Sequence, residues 1–149
     1  MASGDLTEYA PGDRVPVVVE AGAGGAVPER GDMVELSGEK ERMATVTLCS
    51  AVGNGVGSLA RTPSEYDENE TYEDGDEVGQ SWVTLRKYAD WFYDDAGTLS
   101  VDDLVVSTDG NGVIAYNSET HDGTDVFGRV IRTAGFAEGT AGKVLVARY

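Results

Sequence analysis

The feature that most constrains this chain is that it partly repeats itself. Shifted by 71 residues without a gap, it matches itself at Asp32/Asp103, Val34/Val105, Ala44/Ala115, Gly57/Gly128, Arg61/Arg132 and Thr62/Thr133. That is six of the 31 positions from 32 to 62, where about two are expected from average composition. Met33/Leu104, Ser37/Thr108, Val56/Phe127 and Leu59/Val130 are conservative matches, and each half closes on a similar segment, VTLRKY and VLVARY. A repeat bears on architecture before any motif does. It predicts two related units, residues 27–88 and 96–149, preceded by an N-terminal strand and arm. Unrelated hairpins sharing one turn grammar would give a similar but weaker signal.

The repeated material is β in character. Twenty glycines punctuate short runs such as RVPVVVEA, DMVELSG, MATVTLCSAV, SWVTLRKY, DDLVVSTDG, VFGRVIRTAG and GKVLVARY. Several alternate apolar and polar residues, as half-buried strands do. No segment sustains an amphipathic helical pattern. KYADWFYDDAG is the best candidate for a short helix or turn, in which Tyr88, Trp91 and Phe92 would share one face. The predicted class is all-β: a small barrel or sandwich of two related β units (residues 15–149) with an N-terminal arm (residues 1–14). The first half carries an extra acidic segment, Ser64 to Glu77, with eight acids in 14 residues. Such a run reads as a solvated loop.

A chain of 149 residues fits one domain and buries roughly 68–70% of its unfolded surface. It has no run near the ~20 apolar residues that a membrane helix needs, so no membrane partner is expected. MASGDLTEYAPGDR has neither the basic nor the apolar region of a secretory signal, and secretion is not expected either. The single Cys49 excludes an internal disulfide and a multi-cysteine zinc site, and reads as a small core residue. Acids outnumber bases 27 to 11, for a net charge of −16. Direct nucleic-acid binding, which neutralises phosphates with Lys and Arg, is therefore not expected. The acids are spread along the chain and only three bases are lysine, the pattern of a salt-adapted surface.

The residues nominate no catalytic machinery and no cofactor. The one histidine, His121, lies in the polar segment SETHDGTD, the setting of an exposed turn. The segment VGNGVGS has Ser58 where the third glycine of a dinucleotide-binding loop belongs, so it reads as a β-turn. Abundant carboxylates could serve a hydrolase, but abundance nominates no particular pair. STDGNGVIAYNSE resembles a calcium loop, with Ser107 at position 1 and Asp109, Asn111, Gly112 and Ile114 in the expected places. Against this, position 12 is Ser118, with Glu119 one residue late, and the flanks read as strands where an EF-hand needs helices. An acidic calcium-dependent surface or adhesion module is the alternative function this segment suggests. At offset 71, Asp109 to Gly112 fall on Gly38 to Glu41, so the same segment reads as a hairpin tip.

Tyr88, Trp91, Phe92 and Tyr93 cluster within six residues between the halves. They are either a plug for the end of a barrel or, with Leu6 and Tyr9 of the arm, anchors for a partner. The order of motifs, AGAGGAVPERGDMVELSG, GVGSLARTP and GDEVGQSWVTLRKY, then LSVDDLVVSTDGNGVI, DVFGRVIRTAG and GTAGKVLVARY, resembles the capsid decoration (cement) proteins of tailed viruses. Gly31-Asp32-Met33-Val34 and Asp102-Asp103-Leu104-Val105 carry one shared element. Val56 to Ala60 and Phe127 to Ile131 carry another. The acidic insertion and YADWFYDD have no counterpart in that pattern. The resemblance implies a non-enzymatic β protein of the virion. It would trimerise at three-fold and quasi-three-fold positions on the outside of the head and clamp the major capsid protein, with the arm adding a strand to the capsid. Together with the acidity, it implies a virus of halophilic archaea.

Overall fold

The computed structural model describes residues 14–84, 89–108, 112–133 and 142–148. They form ten strands: β1 (Arg14–Glu20), β2 (Met33–Lys40), β3 (Met43–Leu48), β4 (Gly57–Leu59), β5 (Glu77–Thr84), β6 (Ala89–Tyr93), β7 (Leu104–Ser107), β8 (Val113–Ala115), β9 (Val126–Thr133) and β10 (Lys143–Arg148). The first five close into a barrel in the order β1-β3-β2-β4-β5, and the second five make a sheet in the order β6-β10-β9-β7-β8. Among the described residues no helix is long and apolar enough to cross a membrane.

The two sheets are one design used twice. β1 pairs parallel with β3 and antiparallel with β5, and β6 pairs antiparallel with β10. Among the described residues the parallel partnership survives in the second unit as a single bridge, Asp94 to Val113, the counterpart of Val19 to Val46. Each unit therefore includes one strand more at its N-terminal end than self-comparison of the sequence suggests. YADWFYDD contributes β6, the counterpart of β1, and is neither helix nor connector. Aromatic residues favour strands, and pairing with β10 overrides the local helical spacing.

The offset of 71 is kept where the pairing keeps it. Val34 pairs with Gly57 and Met33 with Ser58, as Val105 pairs with Gly128 and Leu104 with Arg129. Between those anchors the halves diverge. Val34 meets Leu48 fourteen residues on, whereas Val105 meets Ala115 ten residues on. The first hairpin is thus four residues longer, and the loop after β8 restores the difference. Ala44/Ala115 is consequently not an equivalent pair. The tip of the first hairpin is Glu41-Arg42, at φ 50° and 69°, rather than residues 38–41. The tip of the second, residues 109–111, lies outside the described residues.

The identical Asp32 and Asp103 have a clear local role. Each accepts a hydrogen bond from the backbone N–H three residues earlier, Glu29 at 2.8 Å and Ser100 at 2.9 Å. Each thereby closes a tight turn whose third residue has positive φ, Gly31 at 91° and Asp102 at 83°. Asp76 repeats the device with Glu73 and Gly75 just before β5. A carboxylate accepting from the backbone in this way is a local cap of the kind Asp provides at turns. It fixes where β2, β7 and β5 begin.

Two apolar clusters follow. Val17, Val34, Val46, Leu59 and Val83 fill the barrel, and their counterparts Phe92, Val105, Val113, Val130 and Val146 fill the second unit. Met33 and Cys49 reach across from the first unit into the second cluster, so Cys49 is the small core residue its setting predicts. VGNGVGS joins the units more closely than a surface turn would. Gly53 N–H donates to Ser107 O at 3.1 Å, and Gly55 N–H donates to Ser107 Oγ at 2.9 Å. A Cβ on Gly55 would lie 2.6 Å from Met33 Sδ and from Ser107 Cβ. Arg148 completes the joint: its Nη2 donates to Val56 O at 3.0 Å and its guanidinium lies 4.4 Å from the Phe127 ring centroid. Burial pulls the Arg148 pKa down, opposed by the charge of Asp90.

Candidate interaction surface

Strand alternation divides the aromatic cluster. Phe92 points inward, is 1% exposed and meets Phe127 edge-on at 5.0 Å. Turning it outward to serve as a contact would forfeit about 1.5–3 kcal/mol of burial, so the isolated chain offers no Phe92 contact. Trp91 and Tyr93 project from the opposite side of β6. Leu6, Tyr9 and Tyr88 lie outside the described residues.

The outer face around Trp91 is read from the strand register. Across the sheet, Tyr93 stands beside Lys143, Trp91 beside Leu145 and then Arg132, and Ala89 beside Ala147 and then Arg129. A bulge between Leu145 and Val146 leaves Ile131 as an extra residue on β9, and its side chain is 47% exposed. These three rows contain no acid. Arg129 is bonded at the margin to Asp102, 2.9 Å from Nη1 to Oδ1. Lys143 Nζ lies 4.7 Å from the centroid of the Tyr93 ring, within the range of a cation–π contact. The face is an apolar centre of Trp91, Leu145 and Ile131 with basic residues around it.

One end of this face leads to a junction between the units, an open pocket of about 320 Å³ lined by Asp32, Tyr93, Asp94, Asp95 and Gly142. Burial raises the pKa of Asp32, partly countered by the Glu29 N–H that its carboxylate accepts. Asp94 is spent on structure, accepting from Gly97 N and Leu99 N at 2.9 and 3.0 Å. Among the described residues no group of three or more His, Cys, Asp or Glu is gathered to hold a metal ion. Ser107, first in the calcium-loop alignment, is buried in β7 and accepts the Gly55 N–H. His121 closes a turn, its Nδ1 accepting from Asn117 N at 3.0 Å.

The acidic insertion is more than a solvated loop. Tyr66 and Tyr72 pack against the barrel core, their rings 5.8 Å apart. Asp76 O accepts from Ala21 N and Ala21 O from Gly75 N, at 2.8 and 2.9 Å. Glu65 accepts from Ser64 Oγ and from Gln80 N at 2.7 Å each, and these bonds lower its pKa, Ser64 most. The exposed acids Glu68, Glu70, Glu73 and Asp74 are thereby presented on an anchored loop. The two tyrosines six residues apart are the signal for this that composition hides.

The bases of β9 and β10 belong to no sequence motif. Residues 126–149 hold four bases and one acid in a chain whose net charge is −16. Three of those bases, Arg129, Arg132 and Lys143, stand on the outer face of the second unit, and Arg148 is spent on the joint.

No protein-family model and no curated protein matches the chain. Among solved structures, the N base of the head fiber protein gp8.5 of bacteriophage phi29 has the same fold. The TM-score is 0.52 over 92% of this chain and 93% of that one, at 11% sequence identity. At that identity the likeness is one of fold.

Proposed function

We propose that this protein is a structural component of a viral head, a decoration protein bound to the outside of the mature capsid. The observation that supports this is the likeness, along nearly the whole chain, to the base of a phage head fiber. It agrees in kind with the resemblance of the sequence motifs to capsid decoration proteins. On this reading the protein assembles as a homotrimer at three-fold and quasi-three-fold positions and clamps neighbouring major capsid subunits. A trimer engages several subunits at once, so modest contacts multiply through effective concentration. Leu6 and Tyr9 of the arm, with Tyr88, Trp91 and Tyr93, are the proposed capsid or subunit contacts. The net charge of −16 fits a virus of halophilic archaea. Electron microscopy of purified heads in molar KCl, with and without the protein, tests the proposal. Added density on the outside of the head is expected, and heads that never bind the protein would refute it.

A further inference from the structure

We propose that Asn54-Gly55 is a modification site governed by the joint between the two units: closed while the units are docked, it converts to aspartate and isoaspartate when they part. The inference goes beyond the head-protein reading and does not depend on it.

The chemistry is intrinsic to the pair. Asn is among the thermolabile residues, and a following glycine exposes it most, because no side chain hinders the glycine nitrogen. That backbone nitrogen gives up its proton and attacks the Asn Cγ. A C–N bond forms, the bond from Cγ to Nδ2 breaks, and the departing amide nitrogen takes up a proton to leave as ammonia. A cyclic imide remains. Water opens it on one side to give aspartate, or on the other to give isoaspartate, whose backbone is longer by a methylene. No oxidant, reductant or second protein takes part.

The folded chain restrains both reacting groups. Gly55 N–H donates to Ser107 Oγ at 2.9 Å, which holds the proton that must leave. Gly53 N–H donates to Ser107 O at 3.1 Å, so the backbone is pinned on either side of Asn54. The Asn54 side-chain amide donates to Glu35 Oε2 at 3.3 Å. Glu35 is fixed in turn by Ser50, whose N–H and hydroxyl both donate to Oε1 at 2.5 Å. The carboxylate tethers the amide to β2, and its charge disfavours the anion formed on attack. Gly55 also has little room to turn, since a Cβ there would lie 2.6 Å from Met33 Sδ and from Ser107 Cβ.

The lock spans the units. Asn54 belongs to the first and Ser107 to the second, and Arg148 of the second holds the same loop through Val56 O at 3.0 Å. Parting the units frees the Gly55 N–H, while Asn54 is exposed to water throughout. What the joint withholds is the attack, not the hydrolysis.

The change is one-way. The product replaces the amide donor with a carboxylate facing that of Glu35, a repulsive pair. Isoaspartate also lengthens the backbone beside Gly55, where Met33 and Ser107 leave no space. A chain that has opened and reacted recloses less firmly, and the modified fraction records how often the units have parted.

The test is peptide mapping by mass spectrometry of the full-length protein, aged at mildly alkaline pH in molar KCl. The same chain aged in urea is the open reference. Cleavage after Arg42 and Arg61 releases residues 43–61, in which Asn54 is the sole asparagine. Ser107→Ala removes the oxygen that holds Gly55 N–H, and Arg148→Met loosens the joint without touching a hydrogen bond of Asn54 or Gly55. Circular dichroism verifies that each folds. Reaction through a locally opened state tracks its population, so the folded wild type should deamidate about 100-fold more slowly than the chain in urea. Each variant should react about tenfold faster than the folded wild type, and Asn54→Gln should stay unmodified in this peptide. A wild type that reacts as fast folded as in urea would overturn the closed site. Acceleration by Ser107→Ala alone would show a local lock and overturn control by the docking of the units. Variants as slow as the wild type would overturn it equally. Arg148→Met decides the matter if Ser107→Ala fails to fold.

Discussion

Glu41 and Arg42 both sit in the left-handed region, at φ 50° and 69°, as the central pair of a two-residue hairpin joining Lys40 to Met43. That geometry suits Asn-Gly and costs other residues about 1–2 kcal/mol each. Replacing the pair with Asn-Gly should stabilise the fold by about 1 kcal/mol and raise the melting temperature by about 3 °C. An unchanged or lower value in calorimetry would contradict the strain. Asp32 offers a pH test. Burial raises its folded-state pKa, so its contribution is full below the unfolded carboxyl pKa and is lost as pH rises through the folded one. Asn at this position can still accept the Glu29 N–H but carries no charge. The stability of Asp32→Asn relative to wild type should therefore improve from pH 3 to pH 7, which thermal melts across that range would read. The first turn of this kind was legible as Gly31-Asp32. Its counterpart was not, because Asp102 takes the positive φ with a side chain that no turn rule demands.

At the scale of elements, most strands, β1 among them, were legible from β-branched runs and glycine punctuation, and the relation between halves from the offset of 71. β6 was not, since WFY alternates out, in and out only once β10 lies beside it. Periodicity over so few aromatic residues cannot separate a strand from a helical turn. The close packing of the glycine loop was not legible, because sequence gives no hint of what approaches it. Gly55→Ala tests its role: with Met33 and Ser107 on either side of the new methyl group, a cost of about 1–3 kcal/mol is expected, measured by urea denaturation. Because both Met33 and Ser107 are buried, the loss should appear as a lower midpoint for the core of the second unit as well as the first. A neutral substitution would mean that the loop can retreat from the joint. The outer face of the second unit was not legible for a different reason. Its residues are scattered over β6, β9 and β10 and meet only through register.

For the whole molecule, charge dominates the dependence on solvent. A net −16 loads the folded state with self-repulsion, and raising salt from 0.1 M to 1 M shortens the Debye length from ~10 Å to ~3 Å. The melting temperature should therefore be higher in molar KCl than in dilute buffer, and an equal or lower value in KCl would refute a salt-adapted surface. The halves should also differ in how they open. The first is a closed hoop, with β1 paired to β3 over Val17, Val18 and Val19. In the second, the same seam is held, among the described residues, by one bridge between Asp94 and Val113. Amide hydrogen exchange reads such differences as local opening free energies. Along the seam the backbone of β6 should trade its hydrogens for deuterium sooner than that of β1. The chain would then have one half that keeps its shape and one with a slit along which it can breathe.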